Sequence, residues 1–241
     1  MIPARKVPPL NWVSYRLLRF LIRKRFHAVY VEGREHFSEL DPARSVVACA
    51  NHTNWWDGFV VHLLSQELVG RESYIAQEEK HLARYRFLNW LGAFGIDLDH
   101  SPTAGLRFAM RVLSDPKSIV WFFPQGHIVY PTKPIIAKSG ASFLAKKSNA
   151  QILPVVLRYE WMIESRPSIF IRIGAPLPET TSAKQLQAGL QALFDQPLPE
   201  PGQIPESMQP LFKPRMSINK KLDFFMHWVR RDKTPFVREN R

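Results

Sequence analysis

His52 and Asp57 lie five residues apart in Ala50-Asn51-His52-Thr53-Asn54-Trp55-Trp56-Asp57-Gly58, between an apolar run and a helical pattern. A strand-to-helix turn of that length can fold Asp57 back onto one ring nitrogen of His52, which fixes the tautomer and raises the basicity of the other nitrogen. A histidine held in this way can take the proton of a hydroxyl as it attacks a carbonyl, an effect worth about 10²–10⁴ in rate. A lone pair of this kind is often structural, so the neighbouring segments decide its meaning.

A second cluster, Phe122-Phe123-Pro124-Gln125-Gly126-His127, ends the next strongly apolar run. Strand ends of an open α/β sheet are where ligands sit, and Gly126 lets backbone approach a ligand closely. Phe123, Pro124, Gln125, Gly126 and His127 are therefore candidate substrate contacts, with Asn51 and Asn54 beside the histidine. Gln125 reads equally as a polar cap at a strand end. His127 reads as a structural or lining group, one base being already assigned. Lys138-Ser139-Gly140-Ala141-Ser142 can open a helix whose N-terminus faces an anion, which adds Lys138 and Gly140 to the candidates. The single cysteine, Cys49, sits in an apolar run and reads as a buried, inert thiol. Trp55 and Trp56 read as one core aromatic and one site wall, in either order. The histidines have no metal-ligand spacing, so a metal site is not expected; no resident cofactor is expected either.

The elements that must position these groups follow from the periodicity. Residues 45–50, 73–76, 119–123, 152–157 and 168–173 read as strands, and 55–69, 81–91, 103–113, 139–148 and 182–195 as helices. This alternation predicts an α/β fold with a mostly parallel central sheet flanked by helices. Continuous apolar strands agree, because parallel strands are covered on both faces. The expected division is a basic amphipathic segment over 1–27, a domain over 28–196, and a Pro-rich connector with a further amphipathic helix over 197–241.

Charge is concentrated at the ends. Of the net +12, residues 1–27 carry +7 with no acid, residues 213–241 carry +6, and residues 28–212 are left at −1. A nucleic-acid binder would line one working face with cations, so nucleic acid is not an expected partner. Basic ends interleaved with aromatics suit an anionic lipid surface, at about 1 kcal/mol per Lys or Arg. Residues 10–26 read as an amphipathic helix, Val13, Leu17, Phe20 and Leu21 on one stripe and Arg16, Arg19 and Arg23 on another. It reads as an interfacial helix lying in the membrane plane, or as a surface helix packed on its own domain. The longest uncharged stretch, Ser118–Thr132, is 15 residues with two prolines, too short to span a bilayer. A peripheral, monotopic position on the cytoplasmic face of the membrane is expected.

Taken together, these blocks resemble the lysophospholipid and glycerol-phosphate acyltransferase family. Asn51, His52 and Asp57 match its His-x4-Asp signature, Phe123-Pro124-Gln125-Gly126 is similar to its Phe-Pro-Glu-Gly block, and Lys138–Ala141 and Leu153-Pro154-Val155-Val156 resemble its later segments. The resemblance implies transfer of an acyl chain from acyl-CoA or acyl-carrier protein to a lipid hydroxyl by direct attack, with no acyl-enzyme. Two departures bear on the acceptor. Gln125 stands for the family's Glu, and the arginines that hold the acceptor's phosphate are absent: His127-Ile128-Val129 follows Gly126, and Leu98 and His100 follow Asp97 and Asp99. Arg107 and Lys133 are the substitutes within reach of the same reading. A lysophosphatidate-like acceptor and a glycosylated lipid such as a carotenoid glycoside both stay open, the latter because Phe-Pro-Gln-Gly resembles a branch of the family that acylates sugars on hydrophobic lipids. The alternatives are a catalytically silent lipid- or acyl-CoA-binding protein of the same fold, and a thioesterase in which water replaces the acceptor.

Overall fold

A computed structural model of the chain describes residues 1–212 and 214. α1 (Pro8–Arg25) leads into β1 (Val29–Glu32) and β2 (Val46–Ala50). α2 (Asp57–Leu64), β3 (Glu72–Glu78), α3 (Glu79–Arg84), β4 (Ala93–Ile96), α4 (Thr103–Val112) and β5 (Ser118–Phe122) follow. Then come α5 (Gly140–Ser148), β6 (Gln151–Glu160), β7 (Ser168–Ile173), α6 (Ala183–Asp195) and the short β8 (Gln209–Pro210).

The strands make one sheet in the order β4-β3-β5-β2-β6-β7-β1-β8. β4, β3, β5, β2 and β6 run parallel to their neighbours, β7 turns back antiparallel to β6, and β1 runs with β7. The fold is thus α/β around a mostly parallel sheet. Every residue of β2 and β5 is buried, as two-sided cover requires. On β2, Val46, Ala48 and Ala50 face a core shared with α2 and Ile22 of α1, while Val47 and Cys49 face one shared with Leu144 of α5 and Leu186 of α6. Cys49 is buried and its thiol is pushed up by that burial, as expected for an inert cysteine.

Register sets the working edge. Cys49 pairs with Phe122 and Ala50 with Val155, so β2 and β5 end level and their following turns lie side by side, while β6 runs on past them to Glu160. β1 and β4, four residues each, fell below what periodicity reveals. The helix expected over 81–91 is two pieces, α3 and a 3-10 turn at Arg86–Leu91, with Tyr85 out of helical conformation between them. The helix expected over 55–69 is α2 followed by one π-helical turn, closed by Gly70 at φ 63°.

α1 combines both readings of its sequence. Leu18 and Ile22 are buried, and Tyr15 packs beside them on the core. The stripe of Val13, Leu17 and Phe20 points the other way, each more than half exposed. No helix among the described residues is long and apolar enough to cross a membrane. The amphipathic helix expected from Ser217 lies outside the described residues.

Candidate active site

The turn between β2 and α2 brings His52 and Asp57 together. His52 Nδ1 lies 2.8 Å from Asp57 Oδ2. A carboxylate can only accept here, so Nδ1 carries the proton and Nε2 is left as the base. Asp57 is fully buried and its remaining bonds hold it in place. Oδ2 also accepts from the backbone N–H of Thr53 at 2.8 Å and of Asn54 at 2.9 Å. Oδ1 accepts from the Tyr159 hydroxyl at 2.6 Å. As the first residue of α2, Asp57 also sits where a helix favours negative charge.

Tyr159 escaped the sequence reading because β6 runs on to Glu160, beyond the purely apolar 152–157. The alternation continuing through Arg158 and Tyr159 was the available signal. Burial, the Asp57 charge and the bond to it push the phenol well above its usual range, so Tyr159 remains a neutral donor.

The turn after β5 supports His52 from below. The imidazole stacks on Phe123, centroids 4.4 Å apart and planes 28° apart. Gln125 is buried, and its Oε1 accepts the backbone N–H of His52 at 2.7 Å. His52 O in turn accepts from Val129 N at 2.8 Å. Gly126 adopts φ 80°, and a Cβ there would lie 2.8 Å from Lys138 Nζ. The glycine therefore serves both the turn and the lysine that lies over it. The Gly126 N–H is spent on Phe123 O at 2.9 Å, and Lys138 N bonds Pro124 O. His127 is exposed, and Gly140 opens α5.

The two asparagines are engaged elsewhere. Asn51 is fully buried: its Nδ2 donates to Leu157 O at 3.0 Å and its Oδ1 accepts from Leu157 N at 2.7 Å. It continues the β2–β6 ladder with a side chain and so fixes where His52 begins. Asn54 Oδ1 accepts from Trp56 N at 3.1 Å, shaping the turn. The open choice between the tryptophans resolves here, because Trp56 packs on the core against Phe26 whereas Trp55 is 60% exposed. Asn51→Ala is expected to lower stability by about 2–4 kcal/mol, two buried backbone groups losing their partners. It should lower kcat with the acceptor KM unchanged. A raised KM with an unchanged melting temperature would instead make Asn51 a substrate contact.

Farther along the same edge, a cavity of about 240 Å³ lies at the ends of β3 and β4, lined by Glu78, Glu79, Lys80, Asp97, Asp99 and His100 among others. Three strand spacings separate β4 from β2, roughly 14 Å. Asp97 Oδ1 accepts the backbone N–H of Asp99 and of His100, and Lys80 is paired with Glu78 and Asp99.

A family model described as Acyltransferase matches residues 28–158, which run from β1 into β6 and include His52, Asp57 and Gln125, with Tyr159 just beyond. Among solved structures, the chain is similar to the 1-acyl-sn-glycerophosphate acyltransferase PlsC from Thermotoga maritima, with a TM-score of 0.53, 20% identity and coverage of 77% of each chain. That likeness is one of fold.

Proposed function

The chain belongs to the acyltransferase family, and from that premise we propose that it moves an acyl chain from acyl-CoA or acyl-carrier protein to a hydroxyl of a lipid acceptor. The observation that carries this reading is the 2.8 Å bond from His52 Nδ1 to the buried, multiply held Asp57 carboxylate. His52 Nε2 takes the acceptor's proton as the acceptor oxygen attacks the thioester carbon. The oxyanion that forms takes a hydrogen bond from the backbone N–H of His127, that of Gly126 being used within its turn. The C–S bond then breaks, and the departing thiolate takes the proton back from His52. Attack is direct, and the scheme calls for no metal or cofactor.

The acidic cavity at the ends of β3 and β4 bears on the acceptor. Its carboxylates can accept bonds from hydroxyls and repel a phosphate. That favours a glycosylated lipid over a lysophosphatidate-like acceptor. The outward stripe of α1, flanked by Arg16, Arg23 and Lys24, supports a peripheral position on an anionic membrane surface, on its cytoplasmic face.

The test follows thiol release from palmitoyl-CoA with extracted lipids as the acceptor pool, for wild type and His52→Ala, with mass spectrometry of the lipids. Wild type is expected to release thiol while one lipid gains an acyl mass, and the variant to do neither. Thiol release without an acylated lipid would mean a thioesterase. No turnover with any donor, carrier protein included, would leave a silent binder.

A further inference from the structure

We infer that the loops around the mouth of the site form a second lipid-contact rim, distinct from α1, which turns the His52 edge of the sheet toward an anionic bilayer. The inference rests on the membrane-surface reading above and extends it from α1 to loops around the site.

Large apolar side chains from three separate loops are exposed at this edge. Trp161 and Ile163, in the connection from β6 to β7, are each 70% exposed, Tyr130 is 80% and Ile128 50%, and Trp55 is 60%. Single exposed apolar residues are ordinary; several gathered at one place mark a contact surface. Three bonds place them together. Tyr159, two residues before Trp161, donates to Asp57. Val129, between Ile128 and Tyr130, donates to His52 O. Trp55 lies within the His52–Asp57 turn itself.

Charge and chemistry select lipid as the occupant. The end of α1 reaches the same place: His27 N donates to Pro167 O at 2.9 Å, and the Phe26 and Tyr159 rings lie 5.7 Å apart. Lys24 and Arg25 lie on that last turn and Arg166 lies in the hairpin, where Glu164 stands 3.9 Å from His27. Exposed aromatic and apolar side chains beside this basic helix end suit an anionic bilayer, where Trp and Tyr rings settle at the headgroups, and the carboxylates of the β3–β4 cavity lie farther along the edge. A lipid acceptor could then reach His52 without crossing water.

Cys49 is buried with its thiol pushed up, so an introduced exposed cysteine can be labelled selectively. Full-length Ile163→Cys and Tyr130→Cys would carry an environment-sensitive nitrobenzoxadiazole probe, with Ser114→Cys at the opposite edge as the control. Each is mixed with phosphatidylcholine vesicles containing a minority of phosphatidylglycerol, and co-sedimentation of the unlabelled protein runs in parallel. The expected result is a blue shift at 163 and 130 and none at 114. The double variant Trp161→Ser, Ile163→Ser should partition on the order of tenfold more weakly. Co-sedimentation of wild type with no shift at 163 or 130 would overturn the rim and leave α1 as the anchor. If wild type fails to co-sediment, the membrane-surface reading fails, and the rim with it.

Discussion

His52→Ala and Asp57→Asn are each expected to lower acyl transfer by about 10²–10⁴, the second with little change in stability. Without the imidazole, no group in the turn can take the acceptor's proton. In Asp57→Asn the carboxamide oxygen can take the place of Oδ2 and keep the N–H bonds of Thr53 and Asn54. The new NH2 then faces Tyr159, whose hydroxyl can rotate from donating to accepting. The fold is therefore preserved while the negative charge that stabilises the developing imidazolium is lost. Asp57→Ala differs physically, since it strands the Tyr159 hydroxyl and two backbone N–H groups beneath the turn. Each stranded group costs about 1–3 kcal/mol. Initial rates of thiol release at saturating donor, read with thermal melts, separate the two effects. If Asp57→Asn kept more than a tenth of the wild-type rate, Asp57 would not be the partner on which His52 depends.

How much of this site was legible in the sequence follows from distance along the chain. The His52–Asp57 pair could be read because both partners lie in one turn after an apolar strand, so local geometry nearly suffices. The bond from Tyr159 spans 102 positions and exists only because β6 lies next to β2. No periodicity announces a contact made by strand pairing. Gln125 was readable as a strand-end polar group, but its partner, the backbone N–H of His52, depends on β2 and β5 ending level. Asn51 looked like a substrate contact because it sits beside the base. Its burial against Leu157 shows that a polar residue at a strand end can be consumed by the sheet itself. The long apolar strands β2, β5 and β6 stood out because two-sided cover writes itself as a continuous run. β1 and β4 are too short to do so, and Gly95 dilutes the pattern in β4.

The same α2 that begins with Asp57 carries a second histidine, His62, and from it stability is expected to fall as pH drops from about 6.5 to 4. His62 is buried, and among the described residues its Nε2 has no hydrogen-bond partner. Burial first, and the Lys6 cation second, push its pKa down to about 4 from 6.5. The folded state thus resists a proton that the unfolded chain accepts. Above pH 6.5 both states are neutral and nothing is lost; below it the unfolded state gains protons alone, until the folded state also titrates near 4. The difference amounts to about 3 kcal/mol at the acid end. His62→Leu removes the titration while keeping an apolar side chain among Val60, Val61 and Leu63. Denaturant melts of both proteins across this pH range should show wild type losing about 3 kcal/mol more than the variant, because contributions from carboxylates are common to both and cancel. Parallel profiles would mean that His62 is reached by water or a partner in solution. Because α2 also sets Asp57 in place, activity lost in step with the melt would reflect this helix.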